Sequence, residues 1–341
     1  MLSPIESLSP AWHETLRLLF RPFIGRRWVA LSFVCLFLGG GTSTAAFQWG
    51  FGALPIDLHA SDLLLRLRLA IAPHLSLVAL AVVLSLSLIL GLIYARCLLR
   101  FVLIDAVIKQ DIAVGAACNS LKSAGTSYFL WLLGVVGAIL AMVSGVMIVS
   151  YRYLNFLREA GHPWWVASLL LVTELVAIVL VGLLVGIVIT LTDDLVAPVM
   201  YADRISLPAA WKILWRIWRR DPDTLLFYIV LRFAVSMGIS VAVLLVLFPV
   251  LMGLSSGILV AAALVTFALR TAGLAWAWNP VTIFLGAVAL CIFTGLLFAL
   301  LSVVGMPGQV YLQNYGVRFI AARVPSLEAL CRASAPVGRR R

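Results

Sequence analysis

The sequence predicts an all-α integral membrane protein of about six transmembrane helices, arranged as three helix-pair units with amphipathic cytoplasmic helices. Three observations predict it. Of the 341 residues 63% are hydrophobic and only 11% are charged, with a mean hydropathy of +1.11; a soluble core needs no such excess. Apolar runs long enough for about 30 Å of hydrocarbon recur along the chain. Finally, 19 of the 25 Lys and Arg residues fall on one side of a six-span reading. Cytoplasmic loops retain Lys and Arg, so that side is the cytoplasm and both termini lie there.

The spans are expected at 28–49, 69–95, 127–151, 164–192, 224–250 and 280–305. Before the first lies a cytoplasmic segment, 1–27, carrying Arg17, Arg21, Arg26 and Arg27. Arg26 and Arg27, the apolar run to Leu38 and the small residues after it approach a signal-peptide pattern. The long polar leader and the continuation into Phe47-Gln48-Trp49 favour a first helix that is retained. Arg96, Arg100, Lys109 and Lys122 mark the second-to-third connection, and Arg204, Lys212, Arg216, Arg219 and Arg220 the fourth-to-fifth. The run Leu254 to Leu269, closed by Arg270, is short for a span and fits a re-entrant or interfacial helix. The last segment, 306–341, reads as an amphipathic cytoplasmic tail with Arg318, Arg323, Arg332, Arg339, Arg340 and Arg341. Residues 1–341 form one membrane domain, because no polar stretch is long enough for a second.

Three cytoplasm-bound span ends have similar character: Arg100 to Val107, Asp193 to Tyr201, and Val304 to Tyr311. This is a repeat of hydropathy and topology rather than of identity. After the second copy, Ser206 to Arg220 gives the strongest local signal. Trp211, Leu214, Trp215 and Trp218 recur at helical spacing, and Lys212, Arg216, Arg219 and Arg220 occupy the rest of the circumference. Aromatic residues on one side and cations on the other describe a helix in the membrane interface, or a docking helix for a partner. In the third copy Tyr311, Tyr315 and Phe319 recur at four-residue steps.

Charges within spans are costly unless paired or wet. Glu174 and Arg232 are expected roughly 12–15 Å deep from opposite sides, which makes them a candidate intramembrane pair. Asp193 and Asp194 end the fourth span beside Thr190 and Thr192. They are a candidate cation or cap site, the blander reading being that they cap a helix end and contact neighbouring Arg residues. Gly182 and Gly186 have the spacing that permits close helix approach.

Other classes find no support in the residues. The net charge of +11 would suggest nucleic acid in a soluble protein; here it reflects the positive-inside bias and attraction to anionic headgroups. Cys35, Cys97, Cys118, Cys291 and Cys331 form no paired or metal-like spacing, and His13, His59, His74 and His162 are scattered. No phosphate loop, nucleophile elbow, haem or zinc spacing occurs, so no catalytic residue, metal or cofactor is expected.

The span leading into Leu195-Val-Ala-Pro198, then Ala209-Ala-Trp-Lys212, then Pro222 and a new span resembles a broad group of bacterial multi-pass proteins. That group includes the membrane domain attached to some glycerophosphodiester phosphodiesterases. The resemblance implies the role of such a membrane domain alone, since only a short tail follows the last span. The expectation is a non-enzymatic scaffold or accessory subunit of an inner-membrane complex. Its partners would be anionic lipid headgroups and either other membrane proteins or further copies of itself. The alternative is a transporter of a small or lipid-like solute using Glu174 and Arg232.

Overall fold

The computed structural model describes residues 3–21, 23–38, 75–112, 114–160, 163–271 and 280–333. Among the described residues it is helical without strands. In chain order the helices are α1 (Leu8–Phe20), α2 (Gly25–Leu38), α3 (Leu75–Lys109), α4 (Val114–Ser120), α5 (Lys122–Glu159) and α6 (Trp164–Leu191). A π-helical turn, Thr192–Val196, joins α6 to α7 (Ala197–Asp203). Then follow α8 (Leu207–Arg220), α9 (Pro222–Thr271), α10 (Pro280–Ala321) and α11 (Pro325–Ala333).

Among the described residues five stretches are long and apolar enough to cross a membrane: Ser76–Lys109, Lys122–Leu157, Ser168–Asp203, Pro222–Leu254 and Cys291–Ala321. The chain is therefore a multi-pass membrane protein. The expected first span begins within α2, and its second half lies outside the described residues. The run 254–269 is not a separate helix but the continuation of α9, which carries Pro249 inside it. Its sequence offers no later stop, and extending a formed helix costs less than starting another. At 1.5 Å per residue α9 is about 75 Å long, over twice the hydrocarbon thickness.

The chain divides into two units. The first comprises Met1–Leu54, Lys109–Ile112 and Asp221–Phe319. Its core is centred where α9 begins and α10 ends, and continues along α9 to Val243 and Leu247 and along α2 from Leu31 to Leu38. Tyr228, near the start of α9, stacks on Phe319 and Tyr315, near the end of α10, at 4.2 and 5.1 Å between ring centres. The stretch expected as the start of an amphipathic tail, 306–341, is thus, up to Phe319, the buried heart of this unit. The N-terminal segment is also structural. In α1 Ala11, Glu14, Thr15, Leu18 and Leu19 are buried. Arg318 forms a two-pronged ion pair with Glu14, Asn314 donates to the Thr15 hydroxyl at 3.0 Å, and Trp12 meets the ring of Tyr311 edge-on. Gly308 lies so close to Ile239 that any Cβ would collide with its Cγ2.

The second unit comprises Pro55–Ile108, Ala113–Arg220 and Ile320–Arg341. Here burial is concentrated at one end. Every residue from Phe101 to Ile108 is buried, as is every one from Leu191 to Met200 except Asp193. Along the most apolar stretches of α3 and α5 no residue is buried within the chain. The close helix approach is at Gly125, where an added Cβ would sit 3.1 Å from Leu98 Cδ1 and 3.4 Å from its Cα. Beside Gly182 and Gly186 lies open space, so the pair singled out by spacing makes no close approach among the described residues. Spacing identifies a smooth strip, and what packs on it depends on which helices meet.

Candidate functional site: a polar clasp and a cationic helix

The clasp of the second unit starts from the π turn. An i→i+5 turn inserts one extra residue and rotates the chain beyond it. Asp193 and Asp194 lie in that turn. Arg100 of α3 donates to Asp194 Oδ1 at 3.1 Å and lies 3.6 Å from Asp193 Oδ2. From α5, the Tyr128 hydroxyl donates to Asp193 Oδ1. Three helices are thus held by one guanidinium, two carboxylates and a phenol. The Asp194 side chain is 1% exposed. Removing its cation would leave a buried carboxylate uncompensated. Five residues along α3 from Arg100, Asp105 accepts from the Tyr201 hydroxyl of α7 at 2.6 Å. Below this, the Thr192 and Thr190 hydroxyls donate back into α6, to the carbonyls of Val188 and Gly186 at 2.7 and 2.8 Å. The hydroxyls therefore satisfy themselves locally, and the carboxylates are used between helices.

Of the expected site residues, Asp193 and Asp194 come together with Arg100, which the charge count had placed only in a loop. Tyr128 and Tyr201 were not anticipated. Their signal was the recurrence of one span-end pattern in the first two copies, each carrying an acid that needs a partner. Glu174 accepts a hydrogen bond from the Ser150 hydroxyl of α5. Arg232 is half-buried on α9 of the first unit, one helical turn from Tyr228. Among the described residues no group of three or more His, Cys, Asp or Glu side chains is placed to hold a metal.

Helix α8 packs on the π turn, α7 and α5. Its first turn is set by the Ser206 carbonyl, which accepts from the amides of Ala209 and Ala210 at 3.1 Å. Leu207, Ala210 and Leu214, at i, i+3 and i+7, are buried. Trp211 and Trp218 flank them half-buried, and Trp215 is 53% exposed. The four aromatic-face residues do not all turn inward, because the protein-facing arc is centred on the two smaller leucines and Ala210. Lys212, Arg216, Arg219 and Arg220 are exposed, and the Arg219 guanidinium lies 5.5 Å above the Trp215 ring.

Helices of this length and hydropathy define a multi-pass α-helical membrane protein. The chain belongs to the family of unknown function DUF7544, whose model matches residues 2–330. No curated protein and no solved structure matches it.

Proposed function

We propose that the protein is a non-enzymatic scaffold or accessory subunit of a complex in the bacterial inner membrane, with six spans and both ends cytoplasmic. The observation that carries the reading is the contrast within the second unit. Arg100, Tyr128 and the two aspartates tie helices to one another, while among the described residues none is buried along the most apolar stretches of α3 and α5. Such faces suit lipid and the spans of other subunits or further copies. A transporter instead needs polar groups left free along several spans. In the described spans the Ser144, Thr173, Thr190 and Ser240 hydroxyls bond back into their own helices.

Three ties support the six-span topology. Arg27, near the start of α2, pairs with Asp111, two residues beyond α3, at 3.2 Å. Tyr128, near the start of α5, reaches Asp193 after α6. Tyr228 and Tyr315 join the start of α9 to the end of α10. No side chain spans about 30 Å of hydrocarbon, so both ends of each tie share one face of the membrane. Each tie then encloses an even number of crossings, and two apiece make six. The Glu14–Arg318 pair supports the same face for the segments before the first span and after the last. The basic residues make that face the cytoplasm.

The test is gentle extraction from the native membrane followed by native mass spectrometry of the intact particle. Stoichiometric membrane-protein partners, or a defined oligomer free of solute, are expected. A lone particle carrying a stoichiometric small solute would overturn the scaffold in favour of the transporter, with Glu174 and Arg232 the first residues to alter.

A further inference from the structure

We propose that the outward face of α8 is a binding surface for the headgroups of anionic phospholipids. This does not rest on the scaffold reading. The chain tethers α8 tightly at span level. It starts after only Arg204, Ile205 and Ser206 from Asp203, where one candidate span ends, and stops one residue short of Pro222, where the next begins. It also packs on the π turn that carries Asp193 and Asp194 at the end of α6, so α8 stays close to the membrane surface.

The circumference of α8 has three arcs. Leu207, Ala210 and Leu214 face the protein. On one flank of that arc lie the indoles of Trp218, Trp211 and Trp215. Turned away from the protein are Lys212, Arg219, Arg216 and Arg220, all exposed, and α8 itself contains no acid. Indoles favour the headgroup level, where their rings are half apolar and half wet. Guanidinium groups bind phosphate through paired N–H donors. The 5.5 Å stack of Arg219 on Trp215 holds one guanidinium beside the indole, so a phosphate there meets a donor already oriented. Charge complementarity and the short tethers both select the lipid surface over a soluble acidic partner, which would need the helix held clear of the bilayer.

The experiment uses the full-length protein in nanodiscs of phosphatidylcholine containing a small fraction of either brominated phosphatidylglycerol or brominated phosphatidylcholine. The contribution of Trp215 is isolated by subtracting the fluorescence of Trp215→Phe. Quenching should be stronger with the brominated anionic lipid. That enrichment should fall about fivefold for each cation removed, in Arg216→Gln and then Arg216→Gln/Arg219→Gln, and weaken with added salt. Both positions are exposed, so helix content and unfolding temperature should stay constant and serve as controls. Equal quenching by the two lipids would overturn the proposal, leaving a helix that merely lies in the interface. Absence of quenching would also overturn it, and would indicate a face covered by protein.

Discussion

The two ends of the α5–α6 pair are built on different principles. At one end Tyr128 and Arg100 converge on Asp193 and Asp194, surrounded by buried residues of α3, the π turn, α7 and α8. At the other, Ser150 meets Glu174 and the flanking large side chains are bare: Tyr151, Tyr153, Phe156 and Trp165 are all exposed. Counting along α5 from Tyr128 to Ser150 at 1.5 Å per residue, the two ties stand about 33 Å apart, close to a hydrocarbon thickness. The stretch between them carries no charge on either helix. The contrast teaches where cohesion comes from. Between lipid-bathed helices there is no hydrophobic drive to associate. Packing therefore accumulates where the chain leaves the lipid and water makes burial favourable. Exposed Tyr and Trp at the far end suit the opposite interface.

The contrast is broken most severely at the clasp. Arg100→Ala should cost about 3–5 kcal/mol, because Asp194 stays buried without its cation. The check is the unfolding temperature in nanodiscs. Arg100→Met combined with Asp194→Leu should recover much of the loss, since it removes both members of the buried pair and leaves only Asp193, the more exposed carboxylate, with its Tyr128 donor. If the single and double variants unfold alike, the clasp is not an electrostatic tie. Next comes a pair of glycines. Gly125→Val should cost about 1–3 kcal/mol through its clash with Leu98, whereas Gly182→Val, facing open space, should leave the unfolding temperature nearly unchanged. Equal losses would erase the distinction between the two ends.

Smaller effects sharpen it. Glu174→Gln keeps the size and the acceptor to Ser150, and should shift stability by no more than about 1 kcal/mol, far less than Arg100→Ala. A larger loss would move the centre of cohesion to the far end. Smallest is a titration. Burial raises the pKa of the Cys118 thiol on α4, with the ammonium of Lys122 opposing it. A raised pKa means less thiolate at a given pH. Alkylation of Cys118 should therefore lag an ordinary cysteine at neutral pH and keep accelerating at higher pH. Lys122→Gln should slow it further.

How far the sequence was legible varies along the chain. Composition reveals the class because lipid demands long apolar runs. Asp193 and Asp194 stood out because two acids at a span end need an explanation. Their partner Arg100 lies 93 residues before Asp193, and no local pattern joins them. Trp211, Trp215 and Trp218 announced an amphipathic helix, but helical periodicity alone does not tell which flank of a helix the protein covers. The GxxxG spacing at Gly182 permits a close approach without saying which helix makes it, and Gly125 was silent because a single glycine in a span is common.

By itself, then, the sequence determined the helical membrane class, the long apolar spans and the excess of basic over acidic residues. These follow from hydropathy and charge, which act residue by residue against solvent and lipid. Only the tertiary structure decided that α1 and the end of α10 become core, that α9 runs through 254–269, and that Arg100, Tyr128 and the Asp pair close into a clasp. Those outcomes depend on which distant surfaces meet, and a buried ion pair or a glycine contact exists only once two helices are brought together.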